Sequence, residues 1–123
     1  MLKAQHHLVA PVPESLVSEA RSVIAKIRKE GASKENKEAL FQLIMQLTEE
    51  GIDFFFMEPL RRMGAGSVMQ KMAKMGLSSM LKGTRMVINN VLKKIDDKGM
   101  EDILDFIEEI LYEPETQKQV ENA

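Results

Sequence analysis

The sequence has no cysteine and no tryptophan, and only one tyrosine and two histidines. Without cysteine there are no disulfides, no thiolate metal ligands and no thiol nucleophile, a usage that fits a reducing compartment. The imidazoles, His6 and His7, sit in the first residues of the chain, so a histidine base for any serine must come from that tail, and Ser78-Ser79 have no base nearby in sequence. Di-iron helical bundles need inward Glu-x-x-His pairs, and none is present. The cluster Glu49, Glu50 and Asp53 lacks histidine and reads as a solvated turn. Gly64-Ala65-Gly66-Ser67 opens a helical pattern, but no strand precedes it and no lysine follows at the spacing of a phosphate loop. Long apolar runs are missing too. None approaches the roughly 20 residues that cross a bilayer, and the run after Lys3 is too short for a signal-peptide core. The chain is therefore expected to be non-enzymatic, without metal or cofactor, without a transmembrane segment, and cytoplasmic.

Strand signals are equally scarce, with no alternating run and no Asn-Gly or Asp-Gly turn. What is present is helical periodicity, four times over. The first helix is predicted from about Pro13 to Glu30, with Leu16, Ala20, Val23, Ile24 and Ile27 on one face and Gly31 as its C-cap. The second starts at Ser33, a capping residue for the amide of Asn36 or its neighbour, and its stripe is Ala39, Leu40, Leu43, Ile44 and Leu47. It ends at Gly51 or runs on through Phe56. Proline disfavours helix in the residue before it, so a break or kink is expected between Met57 and Pro59, followed by a short piece from Pro59 to Met63. The third and longest helix spans about Ser67 to Lys94. The fourth is capped by Asp96 and Asp97, carries Met100, Ile103, Leu104, Ile107, Ile110 and Leu111 on one face, and is closed by Pro114. Short connections make sequential helices antiparallel. The expected fold is all-α, a single-domain up-and-down bundle over residues 13–113 with an irregular segment around 51–66. An extended tail (1–12) precedes it and a frayed polar tail (114–123) follows.

Charge is unevenly distributed behind a net −2. Residues 33–60 carry −4, residues 61–95 carry +8 with no acidic residue, and residues 96–123 carry −8. On the third helix Lys71, Lys74, Ser78, Lys82, Arg85, Asn89 and Lys93 follow steps of three and four, a basic stripe roughly 33 Å long at 1.5 Å per residue. Met69, Ala73, Gly76, Met80, Gly83, Val87 and Val91 form a second line. Leu77, Leu81, Ile88, Leu92 and Ile95 form a third. The two apolar lines are neighbours and together predict one broad face turned to the core. The small residues Ala73, Gly76 and Gly83 are expected to form a packing groove for the first or fourth helix. The acidic residues Glu101, Asp105 and Glu108 are expected to lie near the third helix or to meet a second copy of the chain.

Seven of the ten methionines fall between Met57 and Met86. Methionine fills irregular cores and also builds adaptable binding surfaces. A core filled with methionine is the simpler reading, but Met72 and Met75 lie toward the border of the basic stripe, where partial exposure is expected. Phe54, Phe55 and Phe56 spread over about 200° of a helix at 100° per residue, so they are either wedged between several helices or leave a ring exposed. These features point to a protein-interaction module. Its candidate surface is Phe54, Phe55, Phe56, Met72 and Met75, beside the basic residues Lys71, Lys74, Lys82, Arg85 and Lys93. The expected partner is another protein or a second copy. Nucleic acid and an anionic membrane surface are the alternatives. Against nucleic acid stand the pI of 5.7 and the lack of aromatics in the stripe. Against the membrane stands the need to release the third helix from its own core.

Overall fold

The computed structural model describes residues 6 and 8–111. In chain order the elements are α1 (Glu14–Glu30), α2 (Lys34–Ile52), a π-helical turn (Asp53–Met57), α3 (Glu58–Arg62), α4 (Ser67–Lys93) and α5 (Asp97–Ile110). Because α2, the π turn and α3 follow one another without a gap, the described residues form four helical rods joined by short turns. This is an all-α up-and-down bundle. His7, Tyr112, Pro114 and the C-terminal tail lie outside the described residues. Within the N-terminal tail, residues 8–12 have no regular secondary structure; Leu8 is exposed and Val12 packs on the core.

The rods start and stop where local chemistry requires. The carbonyl of Pro13 accepts from the amides of Leu16 and Val17, which places Pro13 at the N-cap rather than inside α1. Gly31 ends the helix with φ +86°, a conformation that disfavours any side chain. The Ser33 hydroxyl accepts from the Asn36 amide at 3.1 Å, and the Asp96 carboxylate accepts from the Gly99 amide at 2.8 Å. Asp97 does not cap its own helix end. Its carboxylate accepts from the Ala32 amide at 3.0 Å and ties the first turn to the start of α5. Asn36 is fully buried, and its amide group donates to the Gly31 carbonyl at 2.8 Å.

The core forms where α1, the first half of α2 and α5 meet. Leu16, Ala20, Ile24 and Ile27 come from α1, Leu40, Phe41, Leu43 and Met45 from α2, and Met100, Leu104 and Ile107 from α5, while α4 contributes Leu92. Burying each of the larger side chains stabilises the fold by about 1.5–3 kcal/mol. Phe41 and Met45 fall outside the single stripe read for the second helix. They are buried because α2 is the central rod, with neighbours on more than one side.

Of the break or kink expected before Pro59, no break occurs, and the irregularity falls at Asp53–Met57 within the expected segment. The rod passes through Gly51 and Ile52 and takes up one wider turn, in which the Glu58 amide donates to the carbonyl of Asp53, five residues back. In an unbroken α-helix the ring of Pro59 collides with the carbonyl four residues before it. The π turn opens the ladder at that place, and the helix continues to Arg62.

Rod lengths decide the rest. At 1.5 Å per residue the 27 residues of α4 extend about 40 Å, whereas the 14 of α5 extend about 21 Å. The start of α1 lies beside Gln46, Glu49 and Glu50, and the end of α5 lies beside Thr48 and Val87. Beyond these levels the second rod and α4 continue as a two-helix hairpin. From residue 46 to residue 91 the only buried residue is Met57.

Candidate interaction surface

On α4 the three lines read from the sequence do not share a fate. Leu77, Leu81, Ile88, Leu92 and Ile95 are partly or fully buried against α2 and the core. The line Met69, Gly76, Met80, Gly83, Val87 and Val91 is exposed, with only Ala73 half-buried. The expected packing groove for a neighbouring helix is therefore absent: a Cβ added to Gly76 or Gly83 meets nothing within 4 Å. The physical reason is the shortness of α1 and α5, which leaves the outer side of α4 uncovered.

The methionines follow the same division. Met45, Met57 and Met100 are buried, whereas Met63, Met69, Met72, Met75, Met80 and Met86 are exposed. Met72 is 68% and Met75 70% exposed, well beyond the partial exposure expected of border residues. At 100° per residue the apolar positions of α4 cover an arc of about 260°, of which the covered line takes about 60°. Elsewhere a bundle helix needs an apolar stripe little wider than about 100°. Two hydroxyls on this side bond back to the helix itself. Ser79 donates back to the Met75 carbonyl at 3.3 Å, and Thr84 to the Met80 carbonyl at 3.1 Å.

The phenylalanine triplet is not wedged. Phe54 is half-buried and meets the ring of Phe55 edge-on, with centroids 5.3 Å apart, while Phe55 is 44% and Phe56 56% exposed. The cleft between the π turn and α4 is lined by Ile52, Asp53 and Met57 on one side and Lys74, Leu77, Ser78 and Leu81 on the other. The phenylalanines do not line it, and neither do Met72 and Met75. The candidate surface thus consists of two exposed patches, one on each rod of the hairpin.

The basic stripe is likewise divided. Arg85 turns to α2, where it lies 3.7 Å from a Glu49 carboxylate oxygen and 5.6 Å from the centre of the Phe41 ring. Lys74 shares its cleft with Glu49, Glu50 and Asp53. That acidic cluster is therefore one flank of a helix–helix cleft, not a solvated turn. Asp53 also pairs with Arg61 at 2.7 Å. Arg61 and Arg62 both donate to Glu58, which holds that carboxyl below the usual carboxylate range, while Asp53 and Glu58 hold the Arg61 guanidinium above its ordinary value. Lys71, Lys82 and Lys93, spaced by eleven residues, are exposed along the other edge of the stripe, and their side chains have no ion pair or hydrogen bond among the described residues.

The acidic residues of α5 meet neither α4 nor need a second copy. Arg28 of α1 reaches Glu101 at 2.9 Å, Asp105 at 2.7 Å and Glu108 at 2.6 Å. The hydrogen bonds it donates to Glu108 and Glu101 raise the Arg28 guanidinium further above its already high pKa.

One part of the surface was missed from sequence. Ile44, Leu47, Val87, Ile103, Phe106 and Ile110 line an apolar groove of about 390 Å³ between α2, α4 and α5, and Phe106 is half exposed at its rim. The signal was available: Phe106 lies three residues after Ile103 and four before Ile110, a second helical line beside the stripe that was read. Through Val87 and Val91 the groove runs into the exposed line of α4. Among the described residues no helix is long and apolar enough to cross a membrane, and no cluster of three or more metal-ligating side chains occurs. No family model, no curated protein and no solved structure matches this chain.

Proposed function

We propose that this chain is a non-catalytic protein-interaction module that docks its partner on the outer side of the hairpin, mainly on α4. The observation that carries the reading is the uncovered apolar line from Met69 to Val91, flanked by Met72, Met75 and Met86. Contiguous exposed apolar surface of this extent marks partner sites. Methionine suits such a site because it repacks around varied apolar shapes. Phe55 and Phe56 extend the docking region onto the second rod. A cytoplasmic place of action, consistent with the absence of cysteine, belongs to the same proposal. The partition of the basic stripe weighs against nucleic acid, since Arg85 is already engaged by Glu49 and Phe41.

The test is site-specific photocross-linking in cells of the source organism. A photoreactive residue replaces Met72 or Met80 in the full chain, and a control replaces Glu19 on α1. The α4 positions are expected to give a shared polypeptide adduct that the control does not give. No adduct from either α4 position, or the same adducts from all three, refutes the proposal.

A further inference from the structure

We infer that the partner laid along α4 is an acidic amphipathic helix supplied by another protein. The inference rests on the docking role proposed above and adds the chemistry of the occupant.

The exposed line has the spacing of a helix–helix seam. Met69, Ala73, Gly76, Met80, Gly83 and Val87 advance by alternate steps of four and three, which is the 3.5-residue period that keeps one helix facing another. A lipid surface requires bulk across the whole apolar arc, but here the middle of the arc holds two glycines with open space above them. Large side chains of an incoming helix fit over those positions, between Met69, Met80 and Val87. At its lower end the seam enters the apolar groove beside Phe106 and Ile110, which gives the incoming helix a second wall.

Charge selects among helices. α4 contains no acidic residue. Lys71, Lys82 and Lys93 stand along one edge of the uncovered arc, on the side away from α2, with no partner among the described residues. An antiparallel second copy of α4 brings the same lysines to the same edge, a like-charge arrangement that opposes pairing. The acidic residues of α5 do not compensate, because Glu101, Asp105 and Glu108 are taken by Arg28 of their own chain. The occupant that satisfies both the seam and the edge carries large apolar residues at heptad spacing and Asp or Glu along the flank that meets the three lysines.

The experiment is a selection on the full chain. Displayed peptides about three heptads long carry apolar residues at the seam positions and random residues at the flanks. Binders are counter-selected on a Met80→Asp chain, with Met72→Asp as a second control. Both side chains are exposed, so both variants keep the helical circular dichroism of the parent. Selected peptides are expected to converge on Asp and Glu at one flank. A Lys71→Glu/Lys82→Glu/Lys93→Glu chain is expected to bind them at least about tenfold more weakly and to prefer lysine-flanked peptides. Helical binders with neutral or basic flanks, or binding unmoved by the charge reversal, overturn the inference and leave the docking role standing. A parent chain that light scattering shows to be a dimer, and that Met80→Asp makes a monomer, assigns the face to a second copy and overturns the inference alone. Failure to select any peptide that separates the parent from both controls overturns the inference and the docking role together. Co-sedimentation of the parent, but not of Met80→Asp, with phosphatidylserine vesicles would then give the face to lipid.

Discussion

Replacing Gly76 and Gly83 together by alanine should stabilise the isolated protein. Both glycines are in the interior of α4, and in both cases the space that a methyl group would occupy is empty to 4 Å. Glycine in a helix interior is less favourable than alanine by about 0.8–1 kcal/mol, mostly through the entropy of the unfolded chain. Seven residues of helix separate the two sites by about 10 Å, far enough for the effects to add. The pair should therefore gain about 1.5–2 kcal/mol, which for a domain of this size raises Tm by about 5–10 °C. Urea and thermal unfolding followed by circular dichroism, at low and high protein concentration, measure both quantities. A neutral or destabilising outcome refutes the reasoning, because it means that a helix already occupies this face in the isolated protein. Gly99 is an internal contrast: its added Cβ lies 2.6 Å from the Ile95 side chain and 3.2 Å from the Asp96 carboxylate. There the same substitution should lose the helical gain to crowding at the N-cap. The residues that weaken α4 are thus those with nothing over them, which fits a helix whose final packing is completed by another molecule.

Three further outcomes follow from the packing. Leu104 is fully buried among α1 and α2 side chains, so Leu104→Ala should lower stability by about 2–5 kcal/mol in urea unfolding, through lost burial and a residual cavity. Asn36→Ala removes the donor to the Gly31 carbonyl in a buried turn and should cost about 1–3 kcal/mol, read in the same assay, while leaving binding at the distant α4 face unchanged. Glu58 is held below the ordinary carboxylate range by Arg61 and Arg62, so its contribution to stability is fully present above the ordinary glutamate pKa of about 4.3 and is lost as pH falls below it. In a ¹³C titration its carboxyl should protonate below the ordinary glutamate range, and Arg61→Gln should move it back toward that range.

Much of the fold was legible because it is written locally. Ser33 and Asp96 cap as their side chains require, and the stripes of α1 and α5 face the core as their spacing predicts. What failed to come through is set by neighbours rather than by local pattern. Periodicity placed two apolar lines on α4 but said nothing of how many helices stood ready to cover them. The relative lengths of α4 and α5 contained that answer, since a rod of 14 residues cannot shield one of 27. The triad around Arg28 was hidden because it depends on α1 and α5 lying side by side. At Pro59 the sequence signalled a disturbance in the helix, but a broken helix and a widened turn share the same signal. Of the candidate site, Phe55, Phe56, Met72 and Met75 are exposed, while the division of the basic stripe between α2 and solvent came only with the structure.

The π turn also gives the hairpin an unusual tolerance to changes in length. A single π turn holds one residue more than the α-helix it interrupts. Losing one codon upstream, in residues 34–52, rotates everything downstream by about 100° and carries Met57 out of its cleft. Losing one among Phe54, Phe55 and Phe56 only removes the surplus, so Met57 and Arg61 keep their facing and the rod becomes a plain α-helix. The price falls on Pro59, whose ring returns beneath the carbonyl four residues earlier. A shortened chain that also carried alanine at position 59 would have a straight second rod and one fewer exposed ring, with the same four-rod plan.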